Sequence, residues 1–339
     1  MRVDIHSAPN IRNNVSNRTV MGDVIITTLA IYAMCFFYYG ERSLVLGAIS
    51  VLTCSIADIL CTVLARRRVN LIDYSAIVTG LIIPLAMPAT ISYKVVVFTA
   101  LFAICVVKQP FGGVGNNIFN PAAGGLAFAI VCFGNEMFLY PAPFTATQMM
   151  GETTTPLYSS LSYIMYVGGL PKTDFANMML GLKPGPMGAT NILVLAACAL
   201  YLVLRHTVRI QQVLLMLATV FSIGYFFPRV NAEPLSAAIL ELIAMPTLFF
   251  ALFLFSDPVT TPARASTKAV YAVMSGIVLM LFRRFGSYEM MAPFAILFMN
   301  MLTPAFDQIS EAVAAWGRRH LLGRETKQTY TDFSEAEDD

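Results

Sequence analysis

Apolar residues along the chain fall into blocks of about 20, the length that carries a helix across a bilayer core at about 1.5 Å rise per residue. Ten stretches fit: 22–40, 43–65, 72–90, 92–109, 121–139, 191–207, 211–228, 236–256, 268–284 and 288–308. Each predicts one helix, so the fold class expected is an all-α integral membrane protein with about ten transmembrane helices. Two stretches carry proline near the middle, "LIIPLAMP" in the third and "ELIAMPTL" in the eighth. Helical bonds broken at membrane depth are tolerated only where other protein groups or a polar cavity take up the freed backbone. These two spans are therefore expected to line something. The first apolar run begins at Val24, after a polar start without a cleavable leader pattern. Insertion is expected to depend on the spans themselves.

The two halves match at spaced positions. Asp58, Asp73, Asn117 and Pro121 are separated by 15, 44 and 4 residues; Glu241, Asp257, Asn300 and Pro304 are separated by 16, 43 and 4. "NIFNP" in the first half stands beside "NMLTP" in the second. Two copies of a five-span unit must sit upside down relative to each other, which is the plan of two inverted five-helix repeats with functional sites at their interface. Chance matching of a few residues is the alternative. The organisation predicted is a cytoplasmic N-terminal segment (1–21), a first repeat (22–139), an external loop (140–190), a second repeat (191–308) and a cytoplasmic tail (309–339).

Composition agrees with the pattern. The 339 residues are 57% hydrophobic and 12% charged, against about 25% charged in soluble domains. The net charge of +2 says little, but its distribution says more. With both termini inside, 15 of the 22 Lys and Arg residues fall in inner segments and 7 in outer ones. That bias orients both termini to the cytoplasm and places 140–190 outside.

Few residues suggest chemistry. The six cysteines lie in apolar runs without C-x-x-C spacing and read as small hydrophobes; the other reading is a ligand to a cluster shared with another subunit. His6 and His320 are in terminal segments, and His206 sits at a helix end beside Arg205. No zinc, nucleophile-elbow or phosphate-lysine motif appears, and no catalytic or metal-ligating residue is assigned. "GGVGNN" (112–117) reads as a tight turn, or as a close approach to a cofactor ring. Asp58 and Glu241 lie within apolar runs, where an ionisable group suggests function or else a buried pair that aids packing. Asp73 and Asp257 precede helical runs and read as caps.

"DYSAIVTGLIIPLAMP", "FGGVGNNIFNPA" and "FSDPVTTPARAS" together resemble signatures of the RnfD/NqrB family, membrane subunits of the Rnf complex and of the related sodium-pumping NADH:quinone oxidoreductase. The resemblance spans about 20–310, and the absence of a long N-terminal extension favours the Rnf branch. It implies a flavin-carrying subunit of an ion-translocating ferredoxin:NAD oxidoreductase, coupled to Na⁺ or H⁺. It implies FMN esterified through its phosphate to an external threonine by a flavin transferase, and a second, non-covalent flavin (riboflavin) whose residues are not assigned. The family motif runs Ser-x-Ala-Thr then Pro-Leu. Here "GETTTPL" aligns Thr155, with Glu152 and Thr154 departing from the usual Ser and Ala. "MGAT" offers Thr190 as a rival; without flavin, "TTTP" is a solvated turn. Phe138, Tyr140, Phe144 and Tyr158 are candidates to cover a flavin ring, or interface anchors. The implied partners are the complex's other subunits, ferredoxin and NAD at the level of the complex, and the membrane, with no nucleic acid. The other functions weighed are an inverted-repeat secondary transporter and a riboflavin-uptake protein without a covalent link.

Overall fold

A computed structural model describes residues 17–67, 73–113, 115–145, 147, 156–262 and 264–312. Thr155, the predicted attachment residue, lies outside the described residues together with Glu152, Thr154, Arg68, His6 and His320. The protein is mostly helical. Helices α1 (Asn17–Tyr39) and α2 (Glu41–Leu64) turn at Gly40, whose φ of 77° suits glycine. Then come α3 (Ser75–Leu85), α4 (Tyr93–Phe102), which continues as a wider π-turn over Ala103–Lys108, and α5 (Pro121–Cys132). The central segment holds α6 (Gly134–Met137), β1 (Tyr140–Pro141), β2 (Leu157–Tyr158), α7 (Leu161–Tyr166) and α8 (Phe175–Leu180). The second half has α9 (Ile192–Leu204), α10 (Ile210–Phe226), α11 (Pro234–Ile243), α12 (Thr247–Phe253), α13 (Ala265–Phe285) and α14 over 292–312.

Every predicted apolar stretch carries a helix, but most of these helices are shorter than the stretch. By length and composition α1 and α2 could each cross a membrane, and α11 with α12, bent by 50°, passes as one broken span. Helices α3, α5, α9 and α10 have 10–17 residues. Side-chain placement on α2 is that of a lipid-facing helix: Ser43, Ser50 and Cys54 point inward while Leu52, Ile56, Leu60 and Leu64 are exposed. Such a surface is stable against hydrocarbon and aggregates in water.

The broken spans show where the freed backbone goes. After α3 ends at Leu85, the carbonyls of Leu85 and Met87 accept from the N–H groups of Gly188 (2.8 Å) and Met187 (3.0 Å) in the central segment. The buried Arg42 guanidinium donates to the carbonyls of Ala89 (3.1 Å) and Ile91 (2.9 Å). Between α11 and α12, the Glu241 carbonyl accepts from Thr247 Oγ1 (2.7 Å) and from Arg283 Nη1 (3.3 Å), and Lys183 Nζ donates to the Ile243 carbonyl. Carbonyls freed in both halves are thus satisfied by buried cations, as burial at low dielectric demands.

Helix α2 packs on α1, α3 and α4, and α10 packs on α11, α12 and α13, while α1 meets α9 where the halves join. The four matched residue pairs do not occupy equivalent places within this plan. Asp58 is on α2 but Glu241 on α11; Asp73 precedes α3 but Asp257 follows α12; Pro121 opens α5 but Pro304 is inside α14. Spacing alone aligned residues that packing places differently.

Helices α2 and α3 approach closely at Gly80, where an added Cβ would lie 2.7 Å from Val51 Cα. Gly80→Ala is expected to force these helices apart at a cost of about 1–3 kcal/mol. Thermal unfolding in detergent measures it, and an unchanged midpoint would mean that the contact is not tight.

Candidate functional site

Two polar regions stand apart, one at each end of the helix bundle. At the end where α1 begins, a cavity of about 70 Å³ lies between the halves. Its lining includes Thr79, Lys108, Asn117, Asn120, Thr207 and Asp257. Asn120 caps α5 by accepting from Ala123 N–H (3.1 Å), donates through Nδ2 to Asp257 Oδ2 (2.9 Å), and donates through its backbone N–H to Asn300 Oδ1 (2.9 Å). "NIFNP" and "NMLTP" thus touch through Asn120 and Asn300, and Asn117 lines the cavity. The glycines of "GGVGNN" take the turn reading: Gly112, Gly113 and Gly115 have φ of 111°, 86° and 89°, values open to glycine at no steric cost.

Asp73 stands one residue before Tyr74, the N-cap of α3, and closes a turn there by accepting from Ser75 N–H (2.9 Å) and Ser75 Oγ (3.1 Å). Asp257 caps a turn rather than a helix. It accepts from Val259 N–H (3.1 Å) and Thr260 Oγ1 (3.2 Å), and α13 starts only at Ala265. Burial raises the Asp257 carboxyl above its ordinary value, opposed by its bonds from Val259, Thr260 and Asn120.

The carboxylates of the apolar runs are paired. Asp58 lies 2.9 Å from the buried Lys108 ammonium and accepts from Gln109 Nε2 at 2.6 Å; Asp73 is 3.9 Å from Lys108. Glu241, 1% exposed, accepts from Arg229 Nε (2.6 Å) and Arg283 Nη1 (3.2 Å). Two guanidinium groups therefore face one buried carboxylate.

At the opposite end, the central segment packs over the helices. Strands β1 and β2 pair antiparallel, Tyr140 with Tyr158 and Pro141 with Leu157. Pro156 to Ser159 are exposed, so the chain directly following Thr155 runs along the surface. Thr190 is buried, 1% exposed. Of the aromatic candidates, Tyr140 is fully buried and Phe138 stacks on Tyr288 at 6.2 Å. Phe144 and Tyr158 remain open, 65% and 48% exposed. Sequence reasoning missed Glu289, buried between α13 and α14, which accepts from Tyr140 Oη (3.1 Å) and Ser160 Oγ (3.0 Å). Glu289 stands at the start of the tenth apolar stretch, 288–308, so the signal used for Asp58 and Glu241 could have found it, but its partners lie far away in sequence. In the central segment itself, burial lowers the Lys183 ammonium to about 7.

An apolar exterior, broken spans and paired interior charges define a helical membrane protein whose polar groups serve its interior. The family model described as "NQR2, RnfD, RnfE family" matches residues 4–314, and the chain belongs to that family. It is 28% identical to the D subunit of the Na(+)-translocating ferredoxin:NAD(+) oxidoreductase complex of Acetobacterium woodii, over 92% of this chain and 94% of the relative. It is 28% identical to the D subunit of an ion-translocating oxidoreductase complex of Halorhodospira halophila, over 95% and 96%. The D subunit of the proton-translocating ferredoxin:NAD(+) oxidoreductase complex of Clostridium ljungdahlii is 25% identical over 93% and 96%.

Proposed function

We propose that this chain is the flavin-carrying membrane subunit of an ion-translocating ferredoxin:NAD oxidoreductase complex. Its ten apolar stretches cross the membrane as two inverted five-helix repeats, 22–139 and 191–308, with both termini cytoplasmic and 140–190 outside. FMN is held by a phosphoester to Thr155 and passes electrons in a reaction coupled to Na⁺ or H⁺ transport. The observation that carries this is the family membership over residues 4–314 combined with a surface-running chain just after "GETTTP".

The residues present fit a covalent flavin. A transferase needs an accessible hydroxyl, and the segment leaving Thr155 is exposed while Thr190 is enclosed. Tyr158 and Phe144 are exposed and offer apolar surface to a ring. Bound flavin supplies one- and two-electron transfer; the loop's part is to keep it tethered at high effective concentration. A second flavin is a different matter. The cavity between the halves offers amide and hydroxyl groups, but its about 70 Å³ is below the roughly 300 Å³ of the smaller organic-ligand pockets. That space suits a few waters or an ion rather than a flavin ring.

The 15-to-7 distribution of Lys and Arg supports this orientation. A cysteine at Lys172, in a cysteine-free background, is expected to react with an impermeant thiol reagent in intact cells. Labelling only after lysis would reverse the topology.

A further inference from the structure

The loop between β1 and β2 must hold its flavin in one place if electrons are to pass at a constant rate, yet a two-residue ladder is too short to hold a hairpin by itself. The structure supplies an anchor from elsewhere. Glu289, 6% exposed in the connection between α13 and α14, bonds both flanks of the loop. One carboxylate oxygen accepts from Tyr140 on β1 and the other from Ser160, just beyond β2. Ser160 Oγ also caps α7 by accepting from Tyr163 N–H at 3.0 Å, so the same contact sets the direction in which the chain leaves the hairpin. Beside it, Tyr288 stacks on Phe138 at 6.2 Å and on Phe294 at 6.0 Å, fixing the connection against the bundle.

We propose that Glu289 clamps the base of the hairpin to the α13–α14 connection and thereby positions the flavin on Thr155. This rests on Thr155 being the attachment residue. Ser160 follows Thr155 by five residues, and an extended chain spans at most roughly 3.5 Å per residue. Glu289 is a positioning residue: it acts on the flavin through Tyr140 and Ser160.

The test uses whole complexes carrying Glu289→Ala or Glu289→Gln, with Tyr140→Phe and Ser160→Ala removing one arm each. Loss of both bonds should speed amide hydrogen exchange over 140–160 about tenfold in Glu289→Ala, and loss of one about threefold. The midpoint potential and visible circular dichroism of the bound flavin should shift in Glu289→Ala and return toward wild type in Glu289→Gln, which keeps one acceptor oxygen. Wild-type exchange in Glu289→Ala overturns the clamp. So does faster exchange with an unchanged flavin signature. If Glu289→Ala does not accumulate, the two single-arm variants decide by the same two readouts. Mass spectrometry of wild-type peptide 149–172 separates the premises. Flavin absent from that peptide overturns the attachment reading and the positioning role with it. Flavin present there, with none of these changes, overturns the clamp alone.

Discussion

Thr155→Ala is expected to insert normally, lose in-gel flavin fluorescence completely and lose electron transfer through the complex. The substitution removes the hydroxyl oxygen on which a phosphoester depends. The neighbouring Pro156, Leu157 and Tyr158 are exposed, and surface changes of this kind usually alter stability by under about 0.5 kcal/mol. Activity should therefore fall without a fall in the amount of folded protein. Thr190→Ala should keep its fluorescence, because Thr190 is buried. Fluorescence retained in Thr155→Ala and lost in Thr190→Ala would move the attachment to "MGAT". Fluorescence retained in both would remove the covalent flavin from this loop.

The second large effect concerns Glu241. Glu241→Gln should destabilise the protein by about 3–5 kcal/mol, the cost of leaving buried charge without its partner. Arg229 and Arg283 would then face each other across a neutral amide, both in surroundings that exclude water. Adding Arg229→Gln should recover part of the loss, because removing the second cation relieves a repulsion that the first change created. Thermal unfolding in detergent of the two single variants and the double variant gives the coupling directly. A loss below about 1 kcal/mol would mean that the pair is hydrated and of the weak, exposed kind. Normal stability with failed ion-coupled turnover would instead place Glu241 on the ion or proton route.

Much of the helical plan was legible because apolar length reports transfer into lipid, a property summed residue by residue along the chain. All ten apolar stretches carry helices, and Asp73 bonds the first N–H of α3 from a turn just before the helix, whose N-cap is Tyr74. The helix ends were less legible. "LAMPAT" is apolar enough to read as span, yet its carbonyls bond to Met187 and Gly188 of the central segment rather than within a helix. The spaced matches between the halves did not carry over to place in the fold: Asn117 precedes α5, whereas Asn300 lies within α14.

By itself the sequence determined that the chain is a helical membrane protein, where its two proline breaks fall, and which family signatures it carries. Tertiary structure alone decided what satisfies those breaks and what holds the central segment. Arg42 reaches Ala89 across 47 residues, and Glu289 reaches Tyr140 across 149. A broken span or a buried carboxylate can be seen locally as a need for a partner. Which residue meets that need depends on how distant helices pack, and neither hydrophobic period nor local spacing encodes it.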